Sequence, residues 1–476
     1  MAGQTINVGW PTSGQARTFF IETFGCQMNV LDSERAGAQL QARGYVWTEK
    51  VSEADLILFN TCAVREKAAE KVYARIGHLR RCKKPGALIG IMGCVAQAEG
   101  KRMFDQAPDI HLVVGTQALQ ELGTLLDRLE SGEKQAISVR TPNRPEFDEI
   151  LPAQRRMRHI GYVTIMEGCD KFCTFCIVPF TRGRERSRSA ESILREIRAL
   201  AAFGYQEIQL LGQNVNSYGM GRRIEGDARV SFAELLRLVA STSSVPRIKF
   251  TTSHPRDFGL EIVRALEDHS NLCPWVHLPP QSGSDRILAA MNRGYTSGDY
   301  LRKIEMIRQA RREINITGDI IIGFPGETEE DFRQTISLVK EAQFDGLYIF
   351  KYSPRPGTVS LKWGDAVPKE VKADRFLRLQ QLQQEIQHRG DRRYLGKSID
   401  VLVEGKSAKS DEHWTGHSAC HKVVNFSSCL SDLDGSIVMV EVTRINQHSL
   451  FGSQVEVQMP VKSQHGGGAN GSRGQS

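Results

Sequence analysis

Met166-Glu167-Gly168-Cys169-Asp170-Lys171-Phe172-Cys173-Thr174-Phe175-Cys176 places three cysteines within eight residues, spaced C-x3-C-x2-C. Thiolates this close on a short loop can converge on one metal centre, and their softness favours iron–sulfur clusters or zinc. A four-iron cubane held by three protein thiolates keeps one iron open for a small chelating ligand. The spacing is not the ferredoxin run C-x2-C-x2-C-x3-C-P, and no fourth cysteine lies nearby. The competing reading is a structural zinc site on Cys173 and Cys176, completed by Cys169 or His159, which demands closed tetrahedral coordination.

Outward from this loop, strand patterns recur, each followed by a polar or glycine-rich turn. Gly161–Met166 leads into the cysteine loop, Glu207–Leu211 into Gly212-Gln213-Asn214, and Arg247–Thr252 into Ser253-His254-Pro255. Trp275–Leu278 precedes Pro279-Pro280-Gln281-Ser282-Gly283, Ile316–Ile322 precedes Gly323-Phe324-Pro325-Gly326, and Gly346–Lys351 precedes Ser353-Pro354-Arg355. Between them Ile193, Ile197 and Leu200 share a helix face, and Thr328 with Asp331 approximates a capping box. Six such β–α units predict an incomplete (βα)6 TIM-like barrel, with its chemistry at the carboxyl ends of the strands.

The N-terminal third repeats the theme differently. Thr18–Cys26, Asp55–Cys62 and Ala87–Cys94 each read as a strand ending in a cysteine, with helical patterns between them. That alternation predicts a doubly wound parallel α/β sheet, which binds ligands outside the strands' carboxyl ends. One cysteine at a strand end is ordinarily a small apolar residue. Three at the same edge read as ligands of a second cluster, Cys26, Cys62 and Cys94, again one ligand short. Cys82, Cys273, Cys420 and Cys429 lack any such pattern and read as ordinary thiols.

The predicted organisation is a disordered stretch 1–16, an α/β domain 17–133, a proline-containing linker 134–154 and the barrel 155–389. A small all-β module 390–460 and a disordered tail 461–476 follow. Lys369 to Arg389 reads as one helix with Phe376, Leu379, Leu382 and Ile386 on its apolar face. The chain of 476 residues is long enough for three cores, and 40% apolar with 25% charged residues is ordinary globular composition. No apolar run is long enough to span a bilayer, and no basic segment followed by an apolar one marks a secretory signal. Ten cysteines at metal-ligand spacings point to a reducing cytoplasm, and a net charge of +7 permits a nucleic-acid partner.

Longer motifs surround these cysteines: Thr23-Phe24-Gly25-Cys26-Gln27-Met28-Asn29, Asn60-Thr61-Cys62-Ala63-Val64-Arg65-Glu66-Lys67 and Gly93-Cys94-Val95-Ala96-Gln97. Leu211-Gly212-Gln213-Asn214-Val215-Asn216-Ser217-Tyr218, Phe250-Thr251-Thr252-Ser253-His254-Pro255 and His277-Leu278-Pro279-Pro280-Gln281-Ser282-Gly283-Ser284-Asp285 continue the series. On these motifs, over roughly residues 17–460, the chain resembles the bacterial MiaB-type tRNA methylthiotransferases, the tRNA-2-methylthio-N6-dimethylallyladenosine synthases. The resemblance implies a methylthiotransferase N-terminal domain, a radical S-adenosylmethionine (SAM) core and a C-terminal TRAM domain. It implies a [4Fe-4S] cluster on Cys169, Cys173 and Cys176 that cleaves SAM to a 5′-deoxyadenosyl radical. It also implies an auxiliary [4Fe-4S] cluster on Cys26, Cys62 and Cys94 that holds the incoming sulfur. Two SAM molecules would be used per turnover, one to methylate that sulfur and one to activate C2–H of the adenine.

Phe175 would then lie near the SAM adenine, and Gln213, Asn214, Gln281 and Ser282 are candidate SAM contacts. Arg182, Arg184, Arg186 and Arg188 follow the cysteine loop and are candidates for RNA phosphate contacts, as are Lys397, Lys406, Lys409 and Lys422 of the terminal module. The implied partners are a tRNA anticodon loop bearing N6-dimethylallyladenosine (i6A) at position 37 and a low-potential electron donor, flavodoxin or ferredoxin. No membrane is implied, and the chain is expected to be monomeric. Relatives of the same architecture act on threonylcarbamoyl-adenosine in tRNA or on an aspartate of a ribosomal protein. A reading of another class is a non-catalytic RNA-binding protein with structural zinc.

Overall fold

Leu56–Thr61 and Leu88–Gly93 are nearly unbroken apolar runs, and both are buried along their whole length, as parallel strands covered on two faces must be. The computed structural model describes residues 16–63, 66–140, 147, 149–221, 230–407 and 410–458. Residues 1–15, most of 141–148, Lys409 and everything after 458 lie outside the described residues. So, therefore, do nearly all of the predicted N-terminal disordered stretch, the predicted disordered tail and one predicted RNA contact.

Six parallel strands form the first sheet: β1 Thr18–Phe24, β2 Val46–Trp47, β3 Leu56–Thr61, β4 Leu88–Gly93, β5 Leu112–Val114 and β6 Ala136–Ser138. Their order, β2-β1-β3-β4-β5-β6, is that of a doubly wound α/β domain. The register pairs Phe24 with Thr61 and Thr61 with Gly93, so Cys26, Cys62 and Cys94 emerge together at one edge. The sheet runs on to Ser138, inside the stretch read as linker. Ala136-Ile137-Ser138 is too short to carry a periodic signal, and pairing with β5 alone makes it a strand.

The barrel strands are β7 Ile160–Thr164, the short antiparallel pair β8 Met166–Glu167 and β9 Arg186–Ser187, then β10 Glu207–Leu211 and β11 Arg247–Phe250. They continue with β12 Trp275–His277, β13 Asn315–Ile322 and β14 Gly346–Lys351. The six predicted strands are therefore present. They form two three-stranded parallel sheets, β7-β10-β11 and β12-β13-β14, so the barrel is open. Ile193, Ile197 and Leu200 are fully buried, and Thr328 caps its helix with Asp331 closing the box. The helix Lys369–Asp391 buries Leu379 and Ile386.

The last strands, β15 Ser398–Ser407, β16 Ser410–Ser418, β17 Val423–Ser427, β18 Ile437–Ile445 and β19 Leu450–Gln458, close into a five-stranded barrel. β16 escapes sequence reading because Ser-Asp-Glu-His opens it; only Trp414, Gly416 and Ser418 turn fully inward. Ion pairs with buried cations tie the parts together. Arg155, whose side chain is wholly buried, joins Glu34 of the first domain to Glu196 of the barrel. Arg247 reaches Asp400 at 2.6 Å, and Lys422 reaches Asp391 at 2.6 Å. Among the described residues no helix is long and apolar enough to cross a membrane.

Candidate active site

Close backbone approach assembles the N-terminal trio. A Cβ on Gly25 would stand 2.9 Å from that of Cys62, and one on Gly93 would meet Asn60 and the Thr61 carbonyl. Cys62 N–H donates to the Phe24 carbonyl at 2.9 Å, which carries the register of β1 and β3 into their loops. Asn29 and Asn60, both fully buried, bond to each other at 2.9 Å beneath the cysteines. Cys26 hydrogen-bonds Cys62, and with the charge of Arg182 nearby its thiol is lowered to about 6. Cys94 is raised by burial, against the opposing pull of Arg182, which also hydrogen-bonds it.

The barrel trio lies on a loop held from three sides. Gly168 has φ +78°, and a Cβ there would stand 2.0 Å from the Arg184 carbonyl oxygen. Cys169 N–H donates to the Gly183 carbonyl at 3.2 Å, and Thr174 N–H to that of Met291 at 3.0 Å. Asn292 caps the carbonyls of Lys171 and Phe172. Burial pushes Cys169 up to about 11 and Cys176 up to about 12. Such thiols stay protonated until a metal takes the proton's place.

Arg293 carried no sequence signal and completes this site. Its Nη1 donates to Cys173 Sγ at 3.2 Å, its Nη2 to the Pro279 carbonyl and its Nε to Tyr295 Oη. It is 6% exposed, and among the described residues no carboxylate pairs with it. A buried guanidinium needs an anion, and a thiolate-ligated centre on Cys173 supplies one. His254 lies in one of the quoted motifs but was assigned no role there, and it too is buried. Burial first, then Arg293, Lys171 and Arg256, lower it to about 2, so it is neutral, and its Nε2 has no hydrogen-bond partner.

Each trio is gathered: Cys26 hydrogen-bonds Cys62 and lies near enough to act on Cys94, and Cys169, Cys173 and Cys176 act on one another. Thiolates so placed suit a sulfur-ligated metal centre. His159, offered as a zinc ligand, instead pairs with Asp434 of the C-terminal barrel at 3.1 Å.

Several predicted contacts need correction. Arg182 and Arg188 do not face RNA: they are 5% and 2% exposed, bonded to Asp32 and Glu196 respectively. Lys422 is likewise buried between Asp391 and the Asp345 carbonyl. Arg186 pairs with Glu167 and lies over the Phe147 ring. Their places in the sequence, just after the cysteine loop and in the terminal module, marked these cations, but the chain folds Arg182, Arg188 and Lys422 inward onto carboxylates. Arg184, Lys397 and Lys406 remain exposed, Arg184 over Phe172 and Lys406 over Trp414.

Among the candidate SAM contacts, Asn214 is occupied by Asp257 and the His254 N–H. Ser282 is held by Ser284 of its own loop and by Thr335 of the helix Glu329–Ala342. Gln213 Oε1 accepts from Gly168 N–H at 2.6 Å and braces the cysteine loop. Gln281, at φ +70°, keeps a buried Oε1 without a partner. Phe175 packs edge-on against Phe324 at 6.5 Å.

Profiles of three families match in series: "Uncharacterized protein family UPF0004" over residues 18–115, the radical SAM superfamily over 163–339 and the TRAM domain over 392–455. The solved radical S-adenosylmethionine methyltransferase TsrM from Kitasatospora setae, with cobalamin and a [4Fe-4S] cluster bound, aligns with a TM-score of 0.53 at 16% identity. The alignment covers 73% of this chain and 74% of that one, a likeness of fold. Open barrel, cysteine loop and profile together define a radical SAM enzyme that uses SAM and iron–sulfur chemistry.

The tRNA-2-methylthio-N(6)-dimethylallyladenosine synthase of Koribacter versatilis (strain Ellin345) is 44% identical over 448 residues, which are 94% of this chain and 100% of that protein. That of Solibacter usitatus (strain Ellin6076) is 45% identical over 440 residues, 92% of this chain and 97% of its own. The chain belongs to this tRNA-2-methylthio-N(6)-dimethylallyladenosine synthase family.

Proposed function

We propose that this enzyme converts i6A at position 37 of tRNA to its 2-methylthio derivative, with Cys169, Cys173 and Cys176 holding one [4Fe-4S] cluster and Cys26, Cys62 and Cys94 a second. The observation that carries the reading is the pair of three-cysteine sets, each at the carboxyl edge of a different sheet. C2 of adenine bears hydrogen and no leaving group, so acid–base side chains alone cannot replace it with sulfur. When bound, the clusters supply the electron that cleaves SAM and the site that carries the sulfur.

The chain's own residues position these groups. Gln213 and Asn292 hold the barrel loop in shape, Arg293 neutralises charge at Cys173, and Gln281 offers a buried, unpartnered acceptor for SAM. Phe175 offers the apolar wall for its adenine. Arg184, Lys397 and Lys406 are the exposed cations available to RNA phosphates. The reading includes a cytoplasmic monomer that receives electrons from flavodoxin or ferredoxin.

Nucleoside mass spectrometry of tRNA from a deletion strain, complemented with this chain, tests the reaction. The 2-methylthio derivative of i6A should disappear on deletion and return with the intact chain. It should not return when either cysteine set is replaced by alanine. Restoration of 2-methylthio-threonylcarbamoyl-adenosine instead would overturn the substrate assignment.

A further inference from the structure

Arg182 follows Cys176 by six residues in sequence, yet its guanidinium is delivered to the other cysteine trio. It bonds Asp32 at 2.5 Å, hydrogen-bonds Cys94 and acts on Cys26. Asp32 is on the helix Gln27–Ala42, which begins directly after Cys26. From there alternating charges run back to the barrel: Asp32 to Arg35 at 3.5 Å, Arg35 to Glu167 at 3.4 Å, and Glu167 to Arg186 at 2.5 Å. Glu167 stands two residues before Cys169. Arg182, Asp32, Arg35 and Glu167 are each at most 9% exposed, so each must be paired to persist there.

The backbone around Arg182 is clamped from both sides. Thr116 Oγ1 donates to the Thr181 carbonyl, and Gln117 Nε2 donates to that of Arg182 at 2.5 Å. The next carbonyl, Gly183, accepts from Cys169 N–H. One short segment thus touches both cysteine sets and both domains.

We propose that Arg182 is a positioning residue for the sulfur site: a barrel side chain that completes the surroundings of Cys26 and Cys94, so that this centre takes its working potential only when the two domains are docked. The inference rests on reading Cys26, Cys62 and Cys94 as cluster ligands. A cation beside thiolates favours the more reduced, more negative state of a cluster they hold. Removing Arg182 should therefore lower the potential, and removing the Asp32 charge should raise it. A role confined to stability would not move the two variants in opposite directions.

The test uses the full chain with Cys169, Cys173 and Cys176 replaced by alanine, loaded anaerobically with iron and sulfide, so that only the N-terminal trio reports. Redox titration followed by electron paramagnetic resonance compares this background with Arg182→Met, Arg182→Lys and Asp32→Asn added. Expected are a lower potential and altered signal for Arg182→Met, an intermediate shift for Arg182→Lys and a higher potential for Asp32→Asn. With the barrel cysteines restored, Arg182→Met should release several-fold more 5′-deoxyadenosine per methylthio product. If Arg182→Met does not fold, the opposed shifts of Arg182→Lys and Asp32→Asn carry the same test. Should the background bind no iron, the ligand reading falls, and this inference with it. If it binds a cluster whose potential and signal are the same in every variant, the role of Arg182 alone is overturned.

Discussion

At Gly168 the local backbone and the chemistry meet. Its φ of +78° is a left-handed conformation, and the Arg184 carbonyl occupies the space a side chain would need. A Cβ there must push the cysteine loop off the segment that anchors Cys169, besides strain on the order of 1–3 kcal/mol. Gly168→Ala is expected to leave the first domain's cysteines loaded and to empty the barrel site. Iron and sulfide per chain should then fall to about half, with reductive SAM cleavage lost. Full loading and normal cleavage in this variant would show that the loop tolerates displacement.

Among the elements, the helix Glu329–Ala342 tests how local chemistry secures the barrel. Asp331 closes its capping box by accepting from Thr328 N–H at 2.7 Å, and it also receives Ser284 and Arg286. Burial alone would raise this carboxyl; the bonds from Arg286, Ser284 and Thr328 outweigh it and hold the group below its usual range. A carboxyl depressed in the folded state binds fewer protons there than in the unfolded one. Its contribution is therefore complete above the ordinary carboxylate range and drains as pH falls through the folded value. Asp331→Asn should cost about 1–2 kcal/mol at neutral pH. The loss relative to wild type should shrink below about pH 4. Thermal midpoints of the cluster-free chain at pH 7 and pH 3 measure both; an equal loss at the two values would rule out the charge as its cause.

For the whole molecule, the question is which cations serve RNA and which hold domains together. Lys397 and Lys406 are exposed on the C-terminal barrel, whereas Lys422 is buried against Asp391 and the Asp345 carbonyl. Replacing Lys397 and Lys406 by alanine should weaken tRNA binding and reduce the slope of log affinity against log salt by up to about 2. Lys422→Ala should leave that slope unchanged and lower the thermal midpoint, because Asp391 is left buried without its cation. Filter binding over a salt series, with melting curves beside it, separates the two effects. The reverse pattern would mean that exposure misidentifies the RNA-facing side.

The sequence by itself determined the architecture and the two cysteine sets. Strand runs such as Ile57–Phe59 and Ile320–Ile322, helix stops and C-x3-C-x2-C spacing are local features of the sequence, and the pairing of those runs into sheets bears out the strands. Strands β2, β5, β6 and β16 were not read because runs of two or three residues, or one opening with Ser-Asp-Glu-His, acquire their strand character from their neighbours. Only the tertiary structure decided which cations face solvent. Arg182, Arg184, Arg186 and Arg188 are near-identical neighbours in the chain, and what separates them is where the partnering carboxylate lies: Asp32 and Glu196 hold Arg182 and Arg188 in the interior, whereas Arg184 meets the exposed Asp170 at the surface. Arg293, more than a hundred residues beyond Cys173, was invisible for the same reason. Charge pairing across domains acts through space in a medium of low dielectric, and no pattern along a sequence encodes that distance.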